Sequence, residues 1–396
     1  MLSLDKVFNA QTVLKSIIRE TNMVRAYGIA PDCELYLKPE NLQITGSFKV
    51  RGSAYKIAML SDEEKAKGVI ACSAGNHAQG VALAATKNGI KSLICLPDSA
   101  PISKVEATKS FGADVCLVEG CYDDAYQKAL ELKDSEGYTF VHPFDDENVI
   151  AGQGTIALEI LSELDDIDAV VVPIGGGGLI SGIAYTVKQI RPSVKVYGVQ
   201  VAGAPSMFNS INNGEIECLS SVSTIADGIA VKKPGENTYA LVKEYVDEIA
   251  LVSDDEVASA ILALVEKQKM IAEGAGATAV AAVMFNKFDL KGKRVAAVVS
   301  GGNIDVTSLS RVIDRGLRNS GRSSSLLIEL IDKPGQLKEI SRIIADCGGN
   351  VTGVHYEKGN TESVNGCFLR IEMETRDYMH VNLITRTLRN EGFKLV

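Results

Sequence analysis

The chain has 396 residues, 46% of them hydrophobic and 23% charged, with a formal net charge of −9. At roughly 150 residues per domain it holds two or three domains, with core enough to fold without disulfides or metals. The acidic balance argues against nucleic-acid or anionic-membrane partners, and no stretch approaches the ~20 apolar residues of a membrane span.

The opening MLSLDKVFNAQTVLKSIIRE mixes charges through an amphipathic pattern and lacks the apolar core of a signal peptide, so a cytoplasmic location is expected. The eight cysteines (Cys33, Cys72, Cys95, Cys116, Cys121, Cys218, Cys347 and Cys367) form no CxxC pair, and no histidine lies at ligand spacing beside one. Reduced, mostly buried thiols and no metal are expected.

In chain order, VIACSA (69–74), KSLICLP (91–97), ADVCLVEG (113–120), AVVVPI (169–174), VKVYGVQV (194–201) and RVAAVVS (294–300) read as strands. Their nearly continuous apolar, β-branched character suits strands buried on both faces of a parallel sheet. Helical spacing fills 77–89, 104–112, 121–137 and 181–190. The alternation predicts an open α/β fold. RGLRNSGRSSS (315–325) breaks it with Ser and Gly, as a linker does, the linker proper being 319–325. The rest of the chain reads as strand 326–331, helix 335–348, a hairpin of 350–358 and 363–375, helix 380–392 and a last strand FKLV, the βαββαβ order of a ferredoxin-like α+β domain.

Four segments carry candidate chemistry. Gly175, Gly176, Gly177 and Gly178 join the strand AVVVPI to a helix; four glycines together are costly, and unpaired amides at a helix start make a phosphate cradle, or else simply a tight turn. The run matches neither GxGxxG with its acidic partner nor the P-loop. In TGSFKVRG (45–52), Lys49 lies between apolar Phe48 and Val50. Alone it reads as a surface lysine; if desolvated, its pKa falls and it can form imines. Ser73, Ala74, Gly75, Asn76 and His77 again join strand to helix, presenting amides to a carboxylate or merely capping the helix with Asn76. Ser300 and Gly301 follow the strand RVAAVVS, at the end where α/β ligands sit.

SFKVRG, SAGNHAQG, GGGG and SGGN in this order resemble the pyridoxal-phosphate enzymes of fold type II (the tryptophan-synthase β fold), and most of all the threonine dehydratases. KPENLQ (38–43), AGQGT (151–155), TIADGIAVKKPG (224–235) and EGAGA (273–277) extend the likeness over nearly all of residues 1–320. Residues 326–396 resemble an ACT regulatory domain, with DKPG (332–335) at its first turn.

The resemblance implies a two-subdomain catalytic domain over 1–318, its smaller part at about 49–147, followed by the regulatory domain. Lys49 would hold pyridoxal phosphate as a Schiff base, with Phe48, Leu179 and Gly301 nearby. Gly175 to Gly178 would hold the phosphate, Asn76 the ring 3′-oxygen and Ser300 the ring nitrogen. Ser73 to His77 would grip the substrate carboxylate, while Glu273 would lie near the cofactor or be merely structural. The implied reaction turns L-threonine or L-serine into 2-oxobutanoate or pyruvate and ammonia. Isoleucine or valine would act at Asp332, Gly335, Gln336 and Asn350, as suits isoleucine biosynthesis, in a homodimer or homotetramer. Serine racemases carry an acidic metal site where this chain has Gln200, Ala204 and Ser206, so no metal is expected there. Other readings are a serine racemase, hydroxyaspartate dehydratase or cysteine synthase, disfavoured by TIADGIAV, a non-catalytic amino-acid sensor, disfavoured by the intact motifs, and a dinucleotide oxidoreductase, disfavoured by the missing fingerprint.

Overall fold

Runs of Val, Ile, Leu and Ala with no polar face become strands here, and two parallel sheets result. In order the chain forms β1 (Val24–Arg25), β2 (Glu34–Pro39), β3 (Val69–Cys72), β4 (Ser92–Pro97), β5 (Asp114–Val118), β6 (Thr139–Phe140), β7 (Ala169–Pro173), β8 (Lys195–Val201), β9 (Glu248–Val252) and β10 (Arg294–Val299). The computed structural model describes residues 2–357 and 366–396, in two compact units that divide between Leu309 and Ser310.

In the first unit the larger sheet has the order β1-β2-β10-β7-β8-β9, parallel except for β1. Strands β7, β8 and β9 step one way and β10 returns to the other side of β7. The carboxyl ends of β7 and β10, adjacent at this reversal, mark where an α/β sheet binds ligands. The smaller sheet, β5-β4-β3-β6, is wholly parallel. All six strands read from sequence in this unit are present. Of those not read, β2 and β9 carry charged residues that break the apolar run; Lys38 within β2 is nonetheless fully buried, because carboxylates surround it.

The second unit forms β11 (Ser323–Ile331), β12 (Asn350–Glu357), β13 (Gly366–Glu374) and β14 (Lys394–Leu395), an antiparallel sheet in the order β12-β13-β11-β14. Helices Gln336–Asp346 and Tyr378–Asn390 bury Ile340, Ile343, Ile344, Ile384 and Leu388 against Ile328, Leu369, Ile371 and Met373 of the sheet. This is the βαββαβ order; positions 358 and 363–365, read as ends of the hairpin, lie outside the described residues. The expected linker is corrected. Residues 315–319 end the helix Val306–Asn319, and β11 begins at Ser323 because Ser323–Ser325 pair with Glu372–Glu374 of β13, which extends the ladder beyond the apolar run. The thiols are also less buried than expected: all eight are free, with Cys72, Cys95 and Cys367 buried but Cys121 and Cys218 exposed.

KPENLQ, SFKVRG and the helix that starts around AGQGT, far apart in sequence, converge on one buried ionic network. Arg51, fully buried, donates Nε and Nη2 to Glu40 at 2.8 Å each, and Nη1 and Nη2 to Glu159 at 2.6 and 2.8 Å. Thr155 Oγ1 takes a further Nη1 bond at 3.1 Å, and Lys38 pairs with Glu159 at 2.5 Å. Such a network fixes register more surely than it adds stability, yet removing one partner strands a buried charge. Arg51→Met should therefore cost about 3–5 kcal/mol in a denaturant titration. Adding Glu40→Leu should cost less than the sum of the two single changes, because the second removes a charge the first left unpaired.

Candidate active site

Lys49 opens the helix Lys49–Ala58, and no side chain caps this helix start. Packing holds it instead. A Cβ on Gly80 would lie 3.1 Å from the Lys49 carbonyl, and one on Gly152 would lie 2.7 Å from Arg51 O and Gly52 Cα. Helices Asn76–Lys87 and Glu147–Glu163 thus press on the backbone around Lys49 with no side chain between. The Lys49 side chain is half-buried and opens on a cavity of about 870 Å³, a size that holds a cofactor with its substrate. Its Nζ donates to Pro143 O at 2.8 Å and lies 5.3 Å from the centre of the Phe48 ring. Burial pushes the amine down to about 8, while the charge of Glu273 pulls it back up.

The glycine run leaves β7 at one wall of this cavity. Gly177 takes a left-handed φ of 99°, and the helix Gly178–Ile190 begins at the fourth glycine, not at 181. Its first backbone bond runs from Ser181 N to Gly177 O, so the amides of Gly178 and Leu179, both lining the cavity, have no helical acceptor. Close packing also demands these glycines: a Cβ on Gly176 would enter the Phe144 ring, and one on Gly178 would lie 2.8 Å from Phe144 O.

A second helix start faces the same space after β3. Its N-cap is Gly75, not Asn76 as expected, and no side chain caps it. Asn76 is instead the first helical residue, and its side chain is drawn away by Glu273: Nδ2 donates to Glu273 Oε1 at 2.7 Å, and Oδ1 accepts from Asn303 Nδ2 at 2.7 Å. A Cβ on Gly75 would meet nothing within 4 Å, so open cavity rather than a neighbour accounts for this glycine. Ser73 Oγ accepts from Gly75 N at 3.2 Å. His77 is buried with Nε2 on Val141 O at 2.8 Å, and burial pushes it down to about 3, so the ring is neutral and only its backbone faces an anion.

Ser300 lies on the cavity after β10, its Oγ only 3.4 Å from Ala275 O, a weak bond that leaves the hydroxyl free for a ring nitrogen. Gly301 sits outside the lining and backs Glu273; a Cβ there would lie 3.0 Å from the Glu273 carboxyl carbon. Gln200, at a position matching the racemase metal site, ties Ile174 O (3.3 Å) to Phe208 N (2.7 Å). In the second unit Asp332 and Gly335 are exposed at the first turn, where Gly335 has φ 97° and caps Gln336–Asp346; Asn350 donates to Glu374 at 2.9 Å.

Sequence reasoning missed the loop 142–146. Pro143 takes the Lys49 bond, Phe144 fills the hollow of the glycines, and Asp145 caps the helix Glu236–Tyr245 through Glu236 N and Thr238 N at 3.0 and 3.1 Å. Its signal was His142-Pro143 ahead of the helix-capping Asp146. Pyridoxal phosphate fits the residues present: a desolvated primary amine, a glycine-lined helix end with unpaired amides, and a loosely held serine hydroxyl.

The family model of the pyridoxal-phosphate dependent enzymes matches residues 14–301. An L-threonine ammonia-lyase of Thermotoga maritima is 49% identical over 100% of this chain and 99% of its own. The catabolic L-threonine dehydratase of Escherichia coli is 45% identical over 78% of this chain and 96% of its own. The processed form of threonine deaminase isoform 2 from Solanum lycopersicum superposes with a TM-score of 0.75 at 38% identity, covering 79% of this chain and 89% of that one. With its lysine, glycine cradle and serine in place, this chain belongs to the pyridoxal-phosphate dependent enzymes and, among them, to the L-threonine ammonia-lyase family.

Proposed function

We propose that the protein removes water and then ammonia from L-threonine, and from L-serine, giving 2-oxobutanoate and pyruvate. One observation carries the reading: the Lys49 amine shares its cavity with two separate uncapped helix starts, one at Gly178 and one at Gly75. A cofactor phosphate and an amino-acid carboxylate need one anion site each. Bound pyridoxal phosphate supplies the electron sink that acidifies the Cα–H of the amino acid. The Gly178 and Leu179 amides would hold its phosphate, with Ser300 at the ring nitrogen and Asn76 at the ring oxygen. Lys49 would hold it at rest, and its amine, once free, would be the base that takes the α-proton. With its pKa brought down to about 8, the freed amine is a competent base near neutral pH.

The second unit, with its ferredoxin-like strand order, reads as an ACT-type domain that binds isoleucine or valine near Asp332, Gly335, Gln336 and Asn350. The proposed division, catalytic 1–318 and regulatory 326–396, differs from the compact units in which of them owns the helix Val306–Asn319. Assembly as a homodimer or homotetramer follows from paired domains of this type. Among the described residues no helix is long and apolar enough to cross a membrane, and eight free thiols suit a reducing cytoplasm.

Cofactor capture by the cofactor-free protein, followed by absorbance, should speed up as pH rises and level off above about 8, because the neutral amine attacks. An ordinary lysine would level off above about 10. Lys49→Ala should abolish both covalent capture and oxo-acid release. Gly75→Ala should fold and bind cofactor, yet raise KM for threonine about tenfold or more while changing kcat less, since its methyl enters the carboxylate site; an unchanged KM would displace that site. Isoleucine or valine should shift the threonine saturation curve, and Asn350→Ala should weaken the shift; a curve indifferent to both would remove the regulatory assignment.

A further inference from the structure

Glu273 has no role in the reaction as described, and its placement is unusual for an acid. It stands at the N-cap of the helix Gly274–Met284, where shorter side chains such as Ser or Asp ordinarily bond the first amides, and its own longer side chain makes no such bond. It turns instead to Asn76, which engages Oε1; Oε2 has no protein partner among the described residues. Only 6% exposed, the residue lines two cavities at once. One is the large cavity of Lys49. The other, about 40 Å³ and walled by Asn76, Gln79, Lys104, Asp227 and Asn303, has room for one or two waters and polar partners for them. The ion pair of Lys104 and Asp227, 3.0 Å long, forms part of this wall, and with Asp227 65% exposed it stands in contact with solvent.

The charged groups facing Glu273 come from three elements: Lys49 from its helix, Lys104 from the helix Ile102–Ser110 and Asp227 from the turn Asp227–Ile229. Its neighbours on Asn76–Lys87 and after β10, namely Asn76, Gln79, Ser300 and Gly301, are neutral. Burial, then Asp227, push its pKa up to about 7 against the opposing pull of Asn76, Lys104 and Lys49.

An amino acid reaches the site as a zwitterion. Its ammonium has no lone pair and must lose a proton before the nitrogen can attack. We propose that Glu273 is the catalytic base for this step, taking the ammonium proton and passing it to solvent through the small polar cavity. One N–H bond breaks and one O–H bond forms; the proton then moves to water, and the carboxylate is restored with no change of oxidation state. The assignment rests on the amino-acid lyase reading of the site. It accounts for an acid that forgoes its cap, keeps one oxygen free and borders both the reacting space and a route out.

Glu273→Gln keeps an acceptor for Asn76 and removes the titration. In the holoenzyme, kcat/KM for threonine at pH 7 should fall at least about tenfold, with kcat falling less. The deficit should close as pH passes the pKa of the substrate's own ammonium. The wild-type profile of kcat/KM should rise with pH through about 7, as the carboxylate forms, and Glu273→Gln should lose that limb. Glu273→Asp, which remains an acid, should keep it. Independently of activity, the infrared spectrum of the substrate-free wild-type protein should show a carboxylic-acid carbonyl band that disappears as pH is raised through about 7 and is missing from Glu273→Gln. Parallel pH profiles for wild type and Glu273→Gln, loss of the limb in Glu273→Asp, or the absence of the band would overturn the proposal. A wild-type protein that releases no oxo acid would overturn the lyase reading instead, and the infrared band would still decide whether Glu273 titrates there.

Discussion

A primary amine attacks only when neutral, and burial brings the Lys49 amine down to about 8, so that an appreciable share of it is neutral near physiological pH. Everything around the site serves that desolvation. The lysine begins a helix with no capping side chain, an end that would ordinarily fray into solvent. Glycines prevent this: at Gly80 and Gly152 neighbouring helices meet the Lys49 helix backbone to backbone, and a Cβ at either point would force them apart. The amine is positioned by what its neighbours lack.

The same economy shapes the glycine turn after β7. Four glycines in a row suggest a ligand that needs close approach, yet the protein itself fills most of the space beside them. Phe144 occupies the hollow at Gly176 and Gly178, Thr238 Oγ1 donates to Gly176 O at 2.6 Å, and Asp145, next to Phe144, caps the helix that carries Thr238. Pro143 of that loop holds the Lys49 amine. The glycine turn and the amine are therefore braced by one short segment. Gly75 is the contrast: a Cβ there would meet no neighbour and would stand in open cavity.

The same physics decides which features were legible in the sequence. Fully buried strands such as β3, β7 and β10 declare themselves by composition, and the loops at their ends by small residues. Lys49, Gly175 to Gly178, Ser73 to His77 and Ser300 all line one cavity. Less legible were features whose meaning depends on a distant partner. Strand β2 was hidden by Lys38, which is apolar in location but not in kind; the reading of Asn76 as a cap gave way once Glu273 was beside it; Phe144 and Asp145 carried no signal of their own. The Ser-rich start of β11 looked like a linker because its pairing partner lies some fifty residues later, at Glu372–Glu374.

The buried network at Arg51 poses a danger to the lysine two residues away. A lone buried cation there would drive the Lys49 amine further down, and a surplus carboxylate would raise it out of the useful range. Here the buried Arg51 and Lys38 face Glu40 and Glu159, with the more exposed Glu163 at the edge, 3.8 Å from Lys38. The pull on Lys49 accordingly comes from burial and Glu273, neither of which belongs to that network. A balanced network anchors the helix without setting the chemistry of its first residue. That leaves the amine's charge to respond to Glu273, which opens on the same cavity.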